Sequence, residues 1–219
     1  MLCELTHGDG KWGVVEARDD KLGRAALAAA SGDFSLGNAG AGWGARAGIY
    51  KGGLGSASAA TDDGFGIGAL AAVNSLGSPL LGTDVLWAFP FEQNGEFGGR
   101  RPKGNFEHDH ELPADMKSPQ PGENTTLAIV AIDADVTSVE LKRIAIMAGD
   151  GLARALRPVH TPFDGDLVFG VSTGQPPVGE PPPRNPIPLG LLPLALPPRA
   201  IAPRRCVRRA LTATATSPP

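Results

Sequence analysis

Gly122-Glu123-Asn124-Thr125-Thr126-Leu127-Ala128-Ile129-Val130 is the stretch on which the reading of this chain turns. A long polar, proline-containing loop ends here and an alternating apolar run begins, so Thr125 reads as the first residue of a buried strand. An Asn-Thr bond at such a junction has a chemistry of its own. If the Thr125 hydroxyl is held against the Asn124 carbonyl, it attacks it and moves the acyl group from nitrogen to oxygen; water then opens the ester and leaves Thr125 as a new N-terminus. That threonine carries its own base, because a free α-amino group has a reference pKa of about 7.7–8.0. The plain alternative is a strand that starts with two β-branched residues. For an isolated Asn-Thr pair that alternative prevails, so the surrounding sequence has to decide.

Downstream the pattern is regular. Thr126 to Ile132 alternates as a strand and Asp133-Ala134-Asp135 makes a turn. Thr137-Ser138-Val139-Glu140 is a capping box that opens a helix. Leu141, Ile144, Met147, Ala148, Leu152 and Ala155 recur at three and four and give it one apolar face, and Pro158 stops it. Val159 to Asp166 then leads into a second strand, Leu167–Ser172. Two strands around one helix predict a layered α/β unit. Asp164 and Asp166 are one pleat repeat apart, so both carboxylates face one side, aimed at the strand that bears Thr125. A turn with two solvated acids is the plainer reading of the pair, and a calcium loop needs more oxygen ligands than these supply.

Upstream, residues 82–123 form the longest irregular segment, read as a mobile solvated linker that ends at the strained bond. It contains His108-Asp109-His110, which suggests a metal, but adjacent residues in a loop rarely preorganise a site, and no metal is assigned. Before it, Ser56–Ala60 and Phe65–Val73 read as a hairpin around Thr61-Asp62-Asp63-Gly64. Asn74 closes the second strand, either as a turn former or as an amide donor to an oxyanion. Between Gly32 and Gly55 glycine is dense, and Tyr50, Lys51 and Ser56 stand out among the small residues. Gly40-Ala41-Gly42-Trp43-Gly44 mimics a nucleotide fingerprint but lacks the preceding strand and the Lys-Ser/Thr ending of a P-loop, so it is rejected. Instead the glycines permit positive φ and close backbone approach. Lys51 in that setting is either solvated or held as a cation beside a reacting carbonyl. Leu22 to Ala30 reads as a short alanine-rich helix, and Leu2 to Leu5 as the end of a strand.

Composition bounds the rest. The 219 residues suffice for one domain with a proper core. A net charge of -3 gives no basic field for nucleic acid or an anionic membrane. Cys3 and Cys206 suggest neither a disulfide framework nor zinc spacing. The first ten residues lack the flanks of a signal peptide, and no apolar run is long enough to cross a bilayer, so a cytoplasmic setting is expected. Residues 175–219 hold prolines in abundance, no aromatic residue and an Arg204-Arg205, Arg208-Arg209 patch, a composition read as disordered.

Several blocks together resemble a known family. Gly37-Asn38-Ala39-Gly40-Ala41-Gly42, Lys51 to Ser58, Gly68 to Asn74, Asn124-Thr125-Thr126 and Asp150 to Asp166 occur in the same order in the L-aminopeptidase/D-esterases, the β-peptidyl aminopeptidases and the 6-aminohexanoate (nylon) oligomer endohydrolase. The resemblance covers roughly residues 5–174. It implies an Ntn-like αββα sandwich, self-cleavage into two associated subunits, amide hydrolysis by the new N-terminal residue without a cofactor, and homo-oligomers of the cleaved heterodimers. Thr125 matches the nucleophile and Asn124 the residue before the cleaved bond. Asp164 and Asp166 match the acidic pair that orients the nucleophile, and Lys51 and Asn74 the positions of substrate polarisation and the oxyanion; Tyr50, standing beside Lys51, is expected with Lys51 and Asn74 in the substrate site. Threonine with an Asp-Gly-Asp pair is more similar to the nylon-oligomer branch.

On this reading residues 1–124 are a partial α-subunit with its glycine-rich region and linker, 125–174 the β-subunit segment, and 175–219 a disordered tail. Relative to the family pattern the start reads as truncated and the end as divergent, so the sandwich is expected to be incomplete. The expected function is an autoprocessing N-terminal threonine amidohydrolase acting on small peptides or amide oligomers, with no nucleic-acid or membrane partner. The rival is an inactive remnant or a partner-binding module of the same fold. A metal protein using His108 and His110 is a third.

Overall fold

The computed structural model describes residues 15–60, 64–82, 84–104, 112–119 and 122–174, with the backbone alone for residues 15–20. The centre is a four-stranded sheet in the order β3-β4-β7-β8, built from β3 (Gly53–Ala60), β4 (Gly66–Asn74), β7 (Thr125–Ile132) and β8 (Leu167–Ser172). A helix α1 (Val15–Ala28) precedes them, and the short strands β1 (Arg46–Ala47), β2 (Tyr50–Lys51), β5 (Leu80–Leu81) and β6 (Val85–Leu86) flank them as two separate ribbons.

β4 runs antiparallel to both β3 and β7, whereas β7 and β8 are parallel. A parallel pair needs a crossover, and α2 (Ser138–Ala155) supplies it. The helix begins where its cap demands. Thr137 accepts from the Glu140 N–H while Glu140 reaches back to the Thr137 N–H, so two otherwise orphaned donors are satisfied. Ile144, Met147, Ala148, Leu152 and Ala155 turn inward. They pack on Ala71 and Val73 of β4 and Ala128, Val130 and Ile132 of β7. Leu152 is completely enclosed, a burial worth about 1.5–3 kcal/mol.

The other face of the sheet is different. Ile129, Leu167, Phe169 and Val171 point that way and are each about half exposed. Among the described residues the sheet therefore carries one helical layer, on one side: a mixed α/β fold with its second apolar face open.

The strand and helix downstream of Thr125 fall where their periodicity predicts. Upstream the fit is looser. β3 starts at Gly53 instead of Ser56, because Gly53, Leu54 and Gly55 pair with Val73, Ala72 and Ala71 despite their loop-like composition. Gly52, next to them, has no room for a Cβ: one would collide with the Val73 carbonyl oxygen. α1 runs Val15–Ala28, longer than the expected Leu22–Ala30.

Residues 112–119, expected in a mobile linker, are docked. The Ile49 N–H donates to the Asp115 carbonyl (2.9 Å) and the Lys117 N–H to that of Leu76 (2.9 Å). Backbone partners supplied by distant loops fix this segment, which has no periodicity to announce it. The Leu2–Leu5 strand, the Thr61-Asp62-Asp63 turn, His108-Asp109-His110 and the 175–219 tail lie outside the described residues. No described helix is long and apolar enough to cross a membrane.

Candidate active site

Three chain segments meet at one end of the sheet. Asn74, the last residue of β4, is paired with Thr125, the first of β7. One residue earlier, an isolated parallel bridge joins Asn124 to Asp164 and continues the β7–β8 pairing. Loop 75–78 is tied to the segment after α2 by reciprocal bonds between Ser78 and Arg157 (2.7 and 2.9 Å). The sheet thus brings Asn74, Asn124, Thr125 and the 164–166 turn to one place.

The Thr125 hydroxyl donates to the Asn124 carbonyl oxygen at 2.6 Å. That oxygen also accepts the Gly165 N–H at 2.8 Å. The carbonyl of the Asn124–Thr125 bond is therefore polarised by a fixed amide donor while the hydroxyl lies against it. Gly165 is at this position for a steric reason. A Cβ on it would sit 2.8 Å from Thr125 Oγ1, so any side chain would press directly on the hydroxyl.

The two asparagines are buried and their amides engaged. Asn74 Oδ1 accepts from the Arg46 N–H (3.0 Å) and from Lys117 Nζ (2.8 Å), and its Nδ2 donates to the Glu123 carbonyl (2.8 Å). Lys117 Nζ also donates to Asn124 Oδ1 at 3.2 Å. The acids grip the backbone and side chains around the Asn124–Thr125 bond. Asp164 accepts from the Leu76 N–H (3.0 Å) and the Thr161 hydroxyl (2.7 Å). Asp166 accepts from the Thr126 N–H (2.8 Å) and contacts His160 Nδ1 (2.9 Å). Neither carboxylate hydrogen-bonds the Thr125 hydroxyl. The Thr126 hydroxyl, buried beside them, has no hydrogen-bond partner among the described residues.

Lys51 lies on β2 opposite Arg46, whose N–H reaches Asn74, so its backbone is close to the site while its side chain is exposed. Tyr50 is half-buried. Burial, followed by the charge of Asp115 and a hydrogen bond to it, raises the Tyr50 phenol above its usual value, so it remains a protonated donor. Asp115 also accepts from the Ser78 hydroxyl at 2.6 Å.

Reading the sequence finds Thr125, Asn124, Asn74 and the Asp164/Asp166 pair, and the fold brings them together. Lys117, the Gly165 N–H, His160 and Asp115 escape it. Lys117 lies in Met116-Lys117-Ser118-Pro119, which has no pattern that sets it apart from a solvated lysine.

Residues 6–215 match the sequence profile of Peptidase family S58. The chain belongs to peptidase family S58. Among its relatives, an uncharacterized aminopeptidase of Mycobacterium bovis is 39% identical over 168 residues, covering 75% of this chain and 47% of its own. Another, of Mycobacterium leprae, is 40% identical over 155 residues, covering 68% and 40%. The chain thus spans about half the length of the curated relatives it matches. A solved protein of Pyrococcus horikoshii OT3 superposes with a TM-score of 0.53 at 25% identity, over 86% of this chain and 48% of that one. A Burkholderia sp. beta-aminopeptidase gives 0.52 at 23%, over 84% and 50%, a likeness of fold.

Proposed function

We propose that this S58 chain is an autoprocessing amidohydrolase whose nucleophile is Thr125. The single observation that carries the reading is the Thr125 hydroxyl at 2.6 Å from the Asn124 oxygen, with the Gly165 N–H on the same oxygen. In self-cleavage Oγ1 bonds to the Asn124 carbonyl carbon, and the Gly165 N–H stabilises the charge on the oxygen. The C–N bond breaks and the hydroxyl proton ends on the departing nitrogen. Water then hydrolyses the ester to an Asn124 carboxylate and a free Thr125 hydroxyl.

The mature site reuses the parts. The Thr125 α-amine takes the hydroxyl proton as Oγ1 attacks a substrate amide. Asn74 Nδ2, engaged by the Glu123 carbonyl in the intact chain, turns to the substrate oxyanion once the 122–124 segment withdraws. Asp164 and Asp166 keep the end of β7 in place, Lys51 adds positive charge at the edge of the site, and Tyr50 with Asp115 lines it. The names of the mycobacterial relatives support a small peptide with a free amine as substrate. The Thr125 and Asp-Gly-Asp pattern supports a linear amide such as a 6-aminohexanoate oligomer. The resemblance extends to an Ntn-like αββα sandwich, of which the sheet and α2 supply two layers, and to oligomers of cleaved heterodimers. The test is a mass spectrum of the purified chain: fragments 1–124 and 125–219 are expected, and a wild-type chain that stays whole after long incubation sinks the reading.

A second reading has its own observation. The open apolar face of Ile129, Leu167, Phe169 and Val171 fits an inactive remnant or partner-binding module. A cooperative melt without self-cleavage or amide hydrolysis favours it.

A further inference from the structure

We infer that Lys117 is a positioning residue for both reactions, holding the side-chain amides of Asn74 and Asn124 in one orientation. The inference rests on the self-cleaving amidohydrolase reading above and adds to it a residue that the family resemblance did not supply. Lys117 is half-buried, and its Nζ lies 2.8 Å from Asn74 Oδ1, 3.4 Å from the Asn74 carbonyl oxygen and 3.2 Å from Asn124 Oδ1. An ammonium has three protons, and three amide oxygens are here to accept them.

The consequence for Asn74 is directional. Its Oδ1 faces two donors, Lys117 Nζ and the Arg46 N–H, so a flipped amide would set NH2 against both. Nδ2 must therefore point away from them, toward the Glu123 carbonyl in the intact chain and toward substrate afterwards. The ammonium also draws electron density from the amide oxygen and makes the Nδ2–H a stronger donor. Contacts to an ionised donor are roughly twice as strong as neutral ones, which suits a lock on a group that must not rotate.

On the Asn124 side the same ammonium fixes the residue whose carbonyl is attacked. The carboxylate formed there by cleavage is then born beside a positive charge. The lysine is itself anchored, since its N–H donates to the Leu76 carbonyl and the neighbouring Asp115 is held by Ser78.

Lys117→Met, Lys117→Gln and Lys117→Arg in the full chain test this. Appearance of the Thr125 N-terminus is followed in time, the thermal midpoint is measured, and processed protein is assayed on an alanyl anilide. Lys117→Met is expected to stay folded, with a lowered midpoint, and to slow self-cleavage by about 10–100-fold, a fraction of what loss of a whole oxyanion donor costs. Lys117→Arg is expected to restore most of the rate. In processed Lys117→Met protein kcat falls while KM stays within about twofold, because the lock acts on the transition state. A folded Lys117→Met that cleaves as fast as wild type overturns the inference and leaves self-cleavage standing. So does an arginine variant as slow as the methionine one, which marks a packing role. Should Lys117→Met not fold, Lys117→Gln is read by the same criteria. A wild-type chain that stays whole overturns both readings together.

Discussion

Asn74 and Thr125 are direct partners across β4 and β7, the last residue of one strand facing the first of the next. In an antiparallel pair opposed residues have neighbouring side chains, so a buried amide and a hydroxyl share one end of the sheet. Around this pair the groups with proposed roles come from strand ends, from the turn before β8 and from the docked segment that carries Lys117.

The hydroxyl itself is the first thing to remove. Thr125→Ala is expected to remain a single chain, and Thr125→Ser to cleave. Mass spectrometry after matched incubation checks both. Alanine at this half-buried position removes a hydroxyl and one methyl, so the melting midpoint moves little.

Gly165→Ala places a methyl 2.8 Å from Thr125 Oγ1 and pushes the hydroxyl off its carbonyl. A displacement approaching 1 Å in a reacting group costs on the order of 100-fold, so self-cleavage slows by about 10–100-fold. A gel-band time course reads it. Cleavage at the wild-type rate would mean that the close approach of residue 165 has no part in aligning the bond.

Asn74→Leu leaves the Arg46 N–H without an acceptor at Oδ1 and withdraws an oxygen from Lys117. An unsatisfied buried donor costs about 1–3 kcal/mol, which is expected as a lower urea midpoint at unchanged slope. Amide hydrolysis by any processed protein falls by about 10²–10³ through loss of an oxyanion donor.

Tyr50 is the sole tyrosine of the chain, so tyrosinate absorbance reports it alone. Its midpoint is expected above the reference value of 10.0, and Asp115→Asn lowers it by removing a charge and an acceptor. The folded state holds this proton more tightly than the unfolded one. The stabilisation is therefore complete below pH 10.0 and is lost as pH rises through the folded midpoint. A midpoint at or below 10.0 in the folded protein refutes the burial and the Asp115 contact.

What could be read early is what depends on near neighbours. The Thr137 and Glu140 box, the inward face of α2 and the bounds of β8 follow from spacings of two, three and four residues, and each stands where its spacing puts it. The glycine-rich approach to β3 and the docked segment around Lys117 were illegible for the converse reason. Their structure comes from backbone partners on remote segments, Val73 to Ala71 for the one and Leu76 and Ile49 for the other.

The sequence by itself determined the parts: a loop-to-strand junction at Asn124 and Thr125, a capped amphipathic helix, and two aspartates one pleat apart. The tertiary structure decided how they meet. It set Asn74 opposite Thr125, put the Gly165 N–H on the Asn124 oxygen, and brought Lys117 across 43 residues to the Asn74 amide. Periodicity is enforced by bonds and contacts within a few residues of each position. Strand register and a lysine's partners are settled only when the whole sheet packs and every buried donor finds its acceptor.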